Sequence, residues 1–150
     1  MVYSCYVCYY FVDFTIMLDT LVETERLIEQ QKEKSKLVMK KGKLVIQVST
    51  VPRDTNSNGD IAGGWLMSHM DLASAHIAPE GKSATRAVNN IEFFTCVQVG
   101  DLVCCYGYVL KTGRTSVTVH VDVYVEDDKV ACGDFVNVAL GHDGKPRVIT

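Results

Sequence analysis

The sequence predicts an α+β fold in which an antiparallel β-sheet wraps around one long central α-helix. Three observations predict it. Gly63 to Ala78, "GGWLMSHMDLASAHIA", is apolar almost all round a helical wheel, and such a helix is buried on most sides. The chain beyond this helix reads as strands. The cleanest is "RTSVTVHVDVYVE", where Val117, Val119, Val121, Val123 and Val125 alternate with Thr118, His120, Asp122 and Tyr124. A further β-branched run, "KLVIQVSTV", precedes the helix. A lone helix flanked by strands buries its surface by letting the sheet cover it.

Residues 1–41 read as an atypical N-terminal extension, and 42–150 as the domain. The opening "MVYSCYVCYYFVDFTIM" is rich in Tyr and Cys, but lacks the basic region and small-residue cleavage site of a signal peptide. Residues 1–16 are expected to lie outside the functional protein, with Met17 as an alternative start. Residues 17–41 read as helical: Leu18, Leu21, Val22, Leu27 and Ile28 give a partly amphipathic pattern, acids come early and lysines late, and Gly42 is the stop. The strand from Lys43 ends at Pro52, and a turn-rich loop, "DTNSNGD", leads into the central helix, which Pro79 and Gly81 end. Strands "ATRAVNNIEFF", "LVCCYGYVLKTG", "RTSVTVHVDVYVE" and "DFVNVAL" come next, and "GHDGKPR" leads out.

Composition narrows the function. At 150 residues, 47% apolar and 22% charged, the chain has room for one core of ordinary make-up. A formal charge of −3 gives no reason to expect nucleic acid. No window reaches the roughly 18–20 consecutive apolar residues that a membrane span needs. Six cysteines are irregularly spaced for a secreted disulfide framework. Cys104 and Cys105 would point to opposite faces of a strand, and the "CYVC" pair of Cys5 and Cys8 has no second pair at zinc-ribbon spacing. The expectation is no metal site and reduced thiols in a cytoplasmic protein.

Three segments together carry a resemblance: "VSTVPRDTNSNGDIAGGWLMSHMDLASA", "VGDLVCCYGYVLKTGRTSVTVHVDVYV" and "DGKPR". From about Gly42 to Arg147 the chain resembles the YciA-type bacterial acyl-CoA thioesterases of the hotdog superfamily, whose sheet is the bun and whose helix is the sausage. The resemblance implies hydrolysis of acyl-CoA thioesters to a free fatty acid and CoA without a cofactor, CoA arriving as part of the substrate. It implies dimers with one continuous sheet, commonly trimers of dimers, and an active site at the dimer interface.

The residues fit that chemistry. Gly63 and Gly64 allow close backbone approach, and their N–H groups open the helix as unpaired donors beside the positive end of its dipole. Such donors suit a developing oxyanion, although tight helix–sheet packing would also ask for glycine. Asp71 is a carboxylate in an apolar helix, where burial is costly unless the group is paired or functional. It serves as general base on water or as nucleophile forming a mixed anhydride, and in the family the acid of the matching Met-Asp pair is the expected catalytic carboxylate. A carboxylate held only by structural hydrogen bonds is the rival reading. The resemblance implies that Asn58 and Asp60 lie on a loop across from Asp71 of the other subunit, where such residues orient water or the carbonyl; capping the loop is the rival reading. Asp54 and Asn56 are expected to fix the loop itself. Ser68 stands three residues before Asp71, to bond it or line the site. His69 and His76 share a helix face and are assigned structural or interface roles.

For CoA, Lys111, Gly113, Arg114, Thr115 and Ser116 of "KTGRTS" offer cations and hydroxyls to phosphates, matching a region that contacts CoA in relatives; an ordinary hairpin turn is the alternative. Arg86 and Arg147 are weaker candidates. The sequence departs from the family at Ala62, where a bulkier residue is usual, at Cys96, where Pro is common, and at Gly133 and Asp134, which stand where apolar strand residues are expected. These departures bear on the acyl pocket and on the strength of the last strand. The alternative from another functional class is a non-catalytic acyl-CoA-binding or regulatory module.

Overall fold

A computed structural model describes residues 20–28, 40–78 and 81–149. The chain divides into two compact units, Met1–Met39 and Lys40–Thr150. In the first, residues 20–28 are helical and exposed throughout, within the helix expected over 17–41. The expectations for residues 1–16, including the Cys5 and Cys8 pair, lie outside the described residues.

The second unit holds strands β1 (Lys43–Ser49), β2 (Ser83–Phe93), β3 (Leu102–Thr112), β4 (Ser116–Val125) and β5 (Asp128–Ala139), with the central helix (Gly63–Ile77) between β1 and β2. The sheet order is β1-β3-β4-β5-β2, and every neighbouring pair is antiparallel. Short turns join β3, β4 and β5 into a central meander. The long crossover through the helix therefore carries the chain from one edge, β1, to the other, β2. The helix packs against all five strands, which is the wrapped arrangement that the sequence predicts.

Leu66, Met70 and Ala73, spaced by four and three residues on one helix face, meet Val103, Cys105, Val119, Val121, Val123 and Phe135 in the core. Two glycines let the helix sit this close. A Cβ on Gly107 would run into Ile77 Cδ1, and one on Gly133 would come within 2.9 Å of Ile91 Cγ1 and 3.3 Å of Met70 Cε. Adjacent on β3, Cys104 and Cys105 do face opposite ways. Cys105 is fully buried, which with the neighbouring Cys104 thiol pushes its own up to about 12, while Cys104 Sγ accepts from Gln47 Nε2 at 3.5 Å.

Two expectations change. The helix is not buried on most sides within one chain: Met67 is 37% and Leu72 51% exposed. The sheet covers one side of the helix, and the apolar residues on the other side find no cover among the described residues. The last strand is unbroken at Gly133 and Asp134, but its ladder with β2 shifts register there, between Asn89 and Glu92, so the irregularity falls on that pairing. Gly133 makes room for Met70 and Ile91, and Asp134 pairs with His120 across the sheet.

Candidate active site

The loop before the helix is closed by a bridge between Thr55 and Ile61. Asn56 N–H donates to the Asp60 carbonyl at 2.8 Å, and Asn58 N–H donates to Asn56 Oδ1 at 2.8 Å. Asp54 Oδ2 accepts from Val51 N–H at 3.1 Å, and the Asp54 carbonyl accepts from Ala62 N–H at 2.9 Å. Asp54 and Asn56 thus fix the loop, as their types suggest. Asp60 is engaged too, with Oδ1 accepting from Gln98 Nε2 at 2.6 Å. The exposed Asn58 side chain bonds to none of the described residues.

At the helix start, Ala62 is the N-cap and offers no side-chain acceptor. Trp65 and Leu66 N–H groups donate to the Ala62 carbonyl at 2.9 and 3.3 Å, which leaves the Gly63 and Gly64 N–H groups without an acceptor among the described residues. Packing does not demand these glycines. A Cβ on Gly64 would meet nothing within 4 Å, and one on Gly63 would make ordinary contact with the Phe93 ring at 3.5 Å. Beside them lies an open groove of ≈ 220 Å³, lined by Asn56, Asp60, Gly63, Leu66, Phe93 and Cys96 among others.

Asp71 lies two turns further along the helix, half-buried. Its Oδ1 accepts a hydrogen bond from Thr85 Oγ1 of β2. Thr85 Oγ1 also lies 3.2 Å from Oδ1 of Asn137 on β5, Asn137 Nδ2 donates to Ser74 Oγ at 3.0 Å, and Ser74 Oγ donates to the Asp71 carbonyl at 2.8 Å. Asn137 and Ser74 are fully buried, so helix, β2 and β5 are tied by a closed ring of polar groups beneath the carboxylate. Asp71 forms no ion pair with the described residues. Ser68 does not reach it: its hydroxyl donates to the Trp65 carbonyl at 2.7 Å. His69 Nδ1 sits 2.9 Å from the same carbonyl with its ring against Trp65, and His76 Nδ1 sits 2.7 Å from the Leu72 carbonyl.

Asp71 lies seven residues beyond Gly64, about 10 Å along the helix axis. The free amides and the carboxylate of one chain are therefore too far apart to act on one carbonyl. The sheet register shows where Asp71 does sit. Thr85 pairs with Asn137, Asn137 with Val117, and Val117 with Thr112, so its cross-strand row runs out to the β3–β4 hairpin. There Gly113 N–H donates to the Ser116 carbonyl at 2.7 Å, and the Arg114 and Thr115 carbonyls accept from Ile149 and Ala139 at 2.9 Å. The backbone is pinned, while Lys111 and Arg114 are exposed and form no ion pair with the described residues. Arg86 is exposed on β2, and the Arg147 guanidinium lies against Gly81.

Sequence reasoning missed a second polar cluster, on the sheet face away from the helix. His120 Nδ1 lies 2.5 Å from Asp134 Oδ1, and its Nε2 lies 3.0 Å from Asp122 Oδ1. Lys129 Nζ lies 2.5 Å from that same oxygen, and Asn90 Nδ2 donates to Asp134 Oδ2 at 2.8 Å. Burial pushes the Asp134 carboxyl up, but the hydrogen bonds from His120 and Asn90 and the imidazole's charge outweigh it and hold the group below its ordinary value. Burial would lower the Lys129 ammonium, yet its bond to Asp122 keeps it raised. Ligand atoms of His120, Asp122 and Cys132 lie within 4.8 Å of one another, a set of types that can bind a metal, although Lys129 already occupies the Asp122 oxygen. Thr85, Ser74 and Asn137 were missed as well. Asn137 had a signal, being polar at a position that alternation places on one strand face with the apolar, buried Phe135 and Ala139.

Comparison with known proteins adds to this geometry. Residues 58–132 match the family model of the thioesterase superfamily. The chain is 42% identical over 120 residues to the acyl-CoA thioester hydrolase YciA of Salmonella typhimurium, covering 71% of this chain and 89% of that protein. Among solved structures, a hexameric thioesterase from Yersinia pestis is 38% identical with a TM-score of 0.70, over 75% of this chain and 98% of that one. A hexameric broad specificity acyl-coenzyme A thioesterase, in an Asp-to-Ala mutant form, is 38% identical with a TM-score of 0.71, over 73% of this chain and 88% of that one.

Proposed function

The chain belongs to the thioesterase superfamily, among its YciA-type acyl-CoA thioester hydrolases, and we propose that it hydrolyses acyl-CoA to a free acid and CoA at a site completed by two copies of itself. The observation that carries this reading is the split of the machinery along one helix: unpartnered amides at Gly63 and Gly64, and an acid two turns away held by Thr85. A second copy related by a two-fold axis brings the amides of one helix to the carboxylate of the other.

In this reading the Gly63 and Gly64 N–H groups polarise the thioester carbonyl. One such donor is worth about 3–4 kcal/mol of barrier. Asp71 takes a proton from the attacking water, or adds to the carbonyl itself to give a mixed anhydride that water then cleaves. Thr85 fixes one carboxylate oxygen and leaves the other for this work. CoA departs as the thiolate and is protonated. Asn58, whose side chain is uncommitted, is the better of the two loop candidates for orienting water. Asp60 has a structural partner in Gln98. The acyl chain enters the groove beside Phe93, and Lys111 and Arg114 take CoA phosphates, with Gly113, Thr115 and Ser116 shaping that turn.

The same two-fold contact accounts for the apolar surface left over. β2 is an edge strand that pairs only with β5, and Met67 and Leu72 are exposed on the helix. Pairing β2 with β2 of a second copy makes one continuous sheet and covers both residues. The hexamers named among the structural relatives support a trimer of such dimers. No helix of the described residues is long and apolar enough to cross a membrane, and the four described cysteines are free thiols, which supports a cytoplasmic place.

The test is release of free CoA thiol from short- and long-chain acyl-CoAs by the native chain and by Asp71→Ala. The native chain turns over, and Asp71→Ala loses about a hundredfold to ten-thousandfold while still binding CoA. A native chain that binds acyl-CoA and never releases thiol makes the protein a binding module instead.

A further inference from the structure

We propose that Asn137 is a positioning residue for the reaction, acting on Asp71 through Thr85. This inference rests on Asp71 being the reacting carboxylate. Asn137 touches no open space: it is fully buried in β5, and its amide spans Thr85 Oγ1 at 3.2 Å on one side and Ser74 Oγ at 3.0 Å on the other.

Proton counting gives the ring its meaning. A threonine hydroxyl has one proton, yet Thr85 Oγ1 faces two oxygens, Asp71 Oδ1 and Asn137 Oδ1. Ser74 spends its single proton on the Asp71 carbonyl and accepts from Asn137 Nδ2. Thr85 is therefore the donor left to the Asn137 oxygen. When Asp71 is a carboxylate, it draws the Thr85 proton, and the Asn137 oxygen goes without. When Asp71 takes a proton on its other oxygen, Oδ1 loses charge and holds the Thr85 proton less strongly, and the Asn137 oxygen is the acceptor to which that proton can turn. Asn137 thus provides a place for the Thr85 proton at the moment Asp71 receives one from water. It also holds the Thr85 side chain from behind, which fixes the carboxylate rotamer. Neither role touches the substrate, so the effect falls on turnover rather than binding.

The test is Asn137→Leu, close in size and without polar atoms, assayed by thiol release in the native and Thr85→Val backgrounds. In the native background kcat falls about tenfold with KM unchanged, and in the Thr85→Val background the same change adds less than about twofold, because the two act in series. An unchanged kcat overturns the proposal. So does a loss of equal size in both backgrounds, or one confined to KM. If Asn137→Leu fails to assemble, Ser74→Ala carries the test: it removes the far anchor of the amide, and kcat falls about threefold with KM held, again only when Thr85 is present. A kcat unmoved by Ser74→Ala overturns the proposal equally. Asp71→Ala in the same assay separates the two claims. Full turnover there refutes the carboxylate itself, and lost turnover there with an indifferent Asn137 refutes only the relay.

Discussion

The two faces of the sheet each carry acids, but under opposite rules. On the outer face, Asp122 and Asp134 each have a cationic partner, Lys129 at 2.5 Å and His120 at 2.5 Å, and the charges cancel locally when the imidazole is protonated. On the helix face, Asp71 hangs on Thr85 and a ring of neutral groups, with no cation among the described residues. A neutralised acid is inert and ties strands together. An acid left without a counter-charge, at a half-open position, keeps its reactivity. On the proposed reading, the same side-chain type serves the fold or the reaction according to its partners.

The largest effect to expect comes from exchanging the two acids for their amides. Asp71→Asn loses turnover at least about a hundredfold and leaves the melting temperature near the native value. Asp134→Asn does the reverse. It keeps the turnover of each folded molecule and costs about 1–3 kcal/mol of stability, because His120 loses its charged contact at Nδ1, at a mostly buried site, and keeps only Asp122. Thiol release and thermal melts of the two variants decide this, and a comparable loss of turnover in both would erase the distinction between the faces.

A similar contrast holds for two glycines. Gly64→Ala meets nothing within 4 Å and should hold or raise the melting temperature, yet lower kcat about tenfold by crowding the approach to the amides. Gly133→Ala brings a Cβ within 2.9 Å of Ile91 and should cost about 1–3 kcal/mol of stability, with little change in kcat for the molecules that fold. Gly64→Ala with native kcat would assign the Gly-Gly pair to backbone shape alone.

The smallest effect is one of pH. The Asp134 carboxyl is held below its unfolded value, so its contribution to stability is complete above about pH 4 and is lost as pH falls toward its folded value. Denaturant melts at stepped acidic pH should show this loss in the native chain and not in Asp134→Asn. An identical acid profile in both would remove Asp134 from the account.

Much of the fold and part of the candidate site were legible in the sequence, for reasons that also mark the limits. Period-two alternation in β4 and an apolar wheel from Gly63 to Ile77 are local signals, and both elements formed where the pattern puts them. Asp71 stood out because a charge in an apolar helix is costly. Thr85, Ser74 and Asn137 did not, because what joins them is strand register: Thr85 meets Asn137 only once β2 lies beside β5. The outer cluster was hidden in the same way, since His120 and Asp134 become neighbours through the pairing of β4 with β5. The helix pattern also misled in one respect. Met67 and Leu72 signal burial, but nothing within the described chain buries them, since a sequence pattern does not say which molecule supplies the cover.

The central claim is that the amides of one chain and the carboxylate of another form one site, and subunit complementation tests it most directly. Asp71→Ala and a Gly64→Pro variant that removes the donor N–H, each inactive alone, are unfolded together, refolded as a mixture and assayed for thiol release. If the site spans two chains, a mixed pair has one site with both native halves. Random pairing then restores about a quarter of native activity per site. If both halves act within one chain, every site in the mixture lacks one of them, and a mixture as inactive as its components would contradict the account.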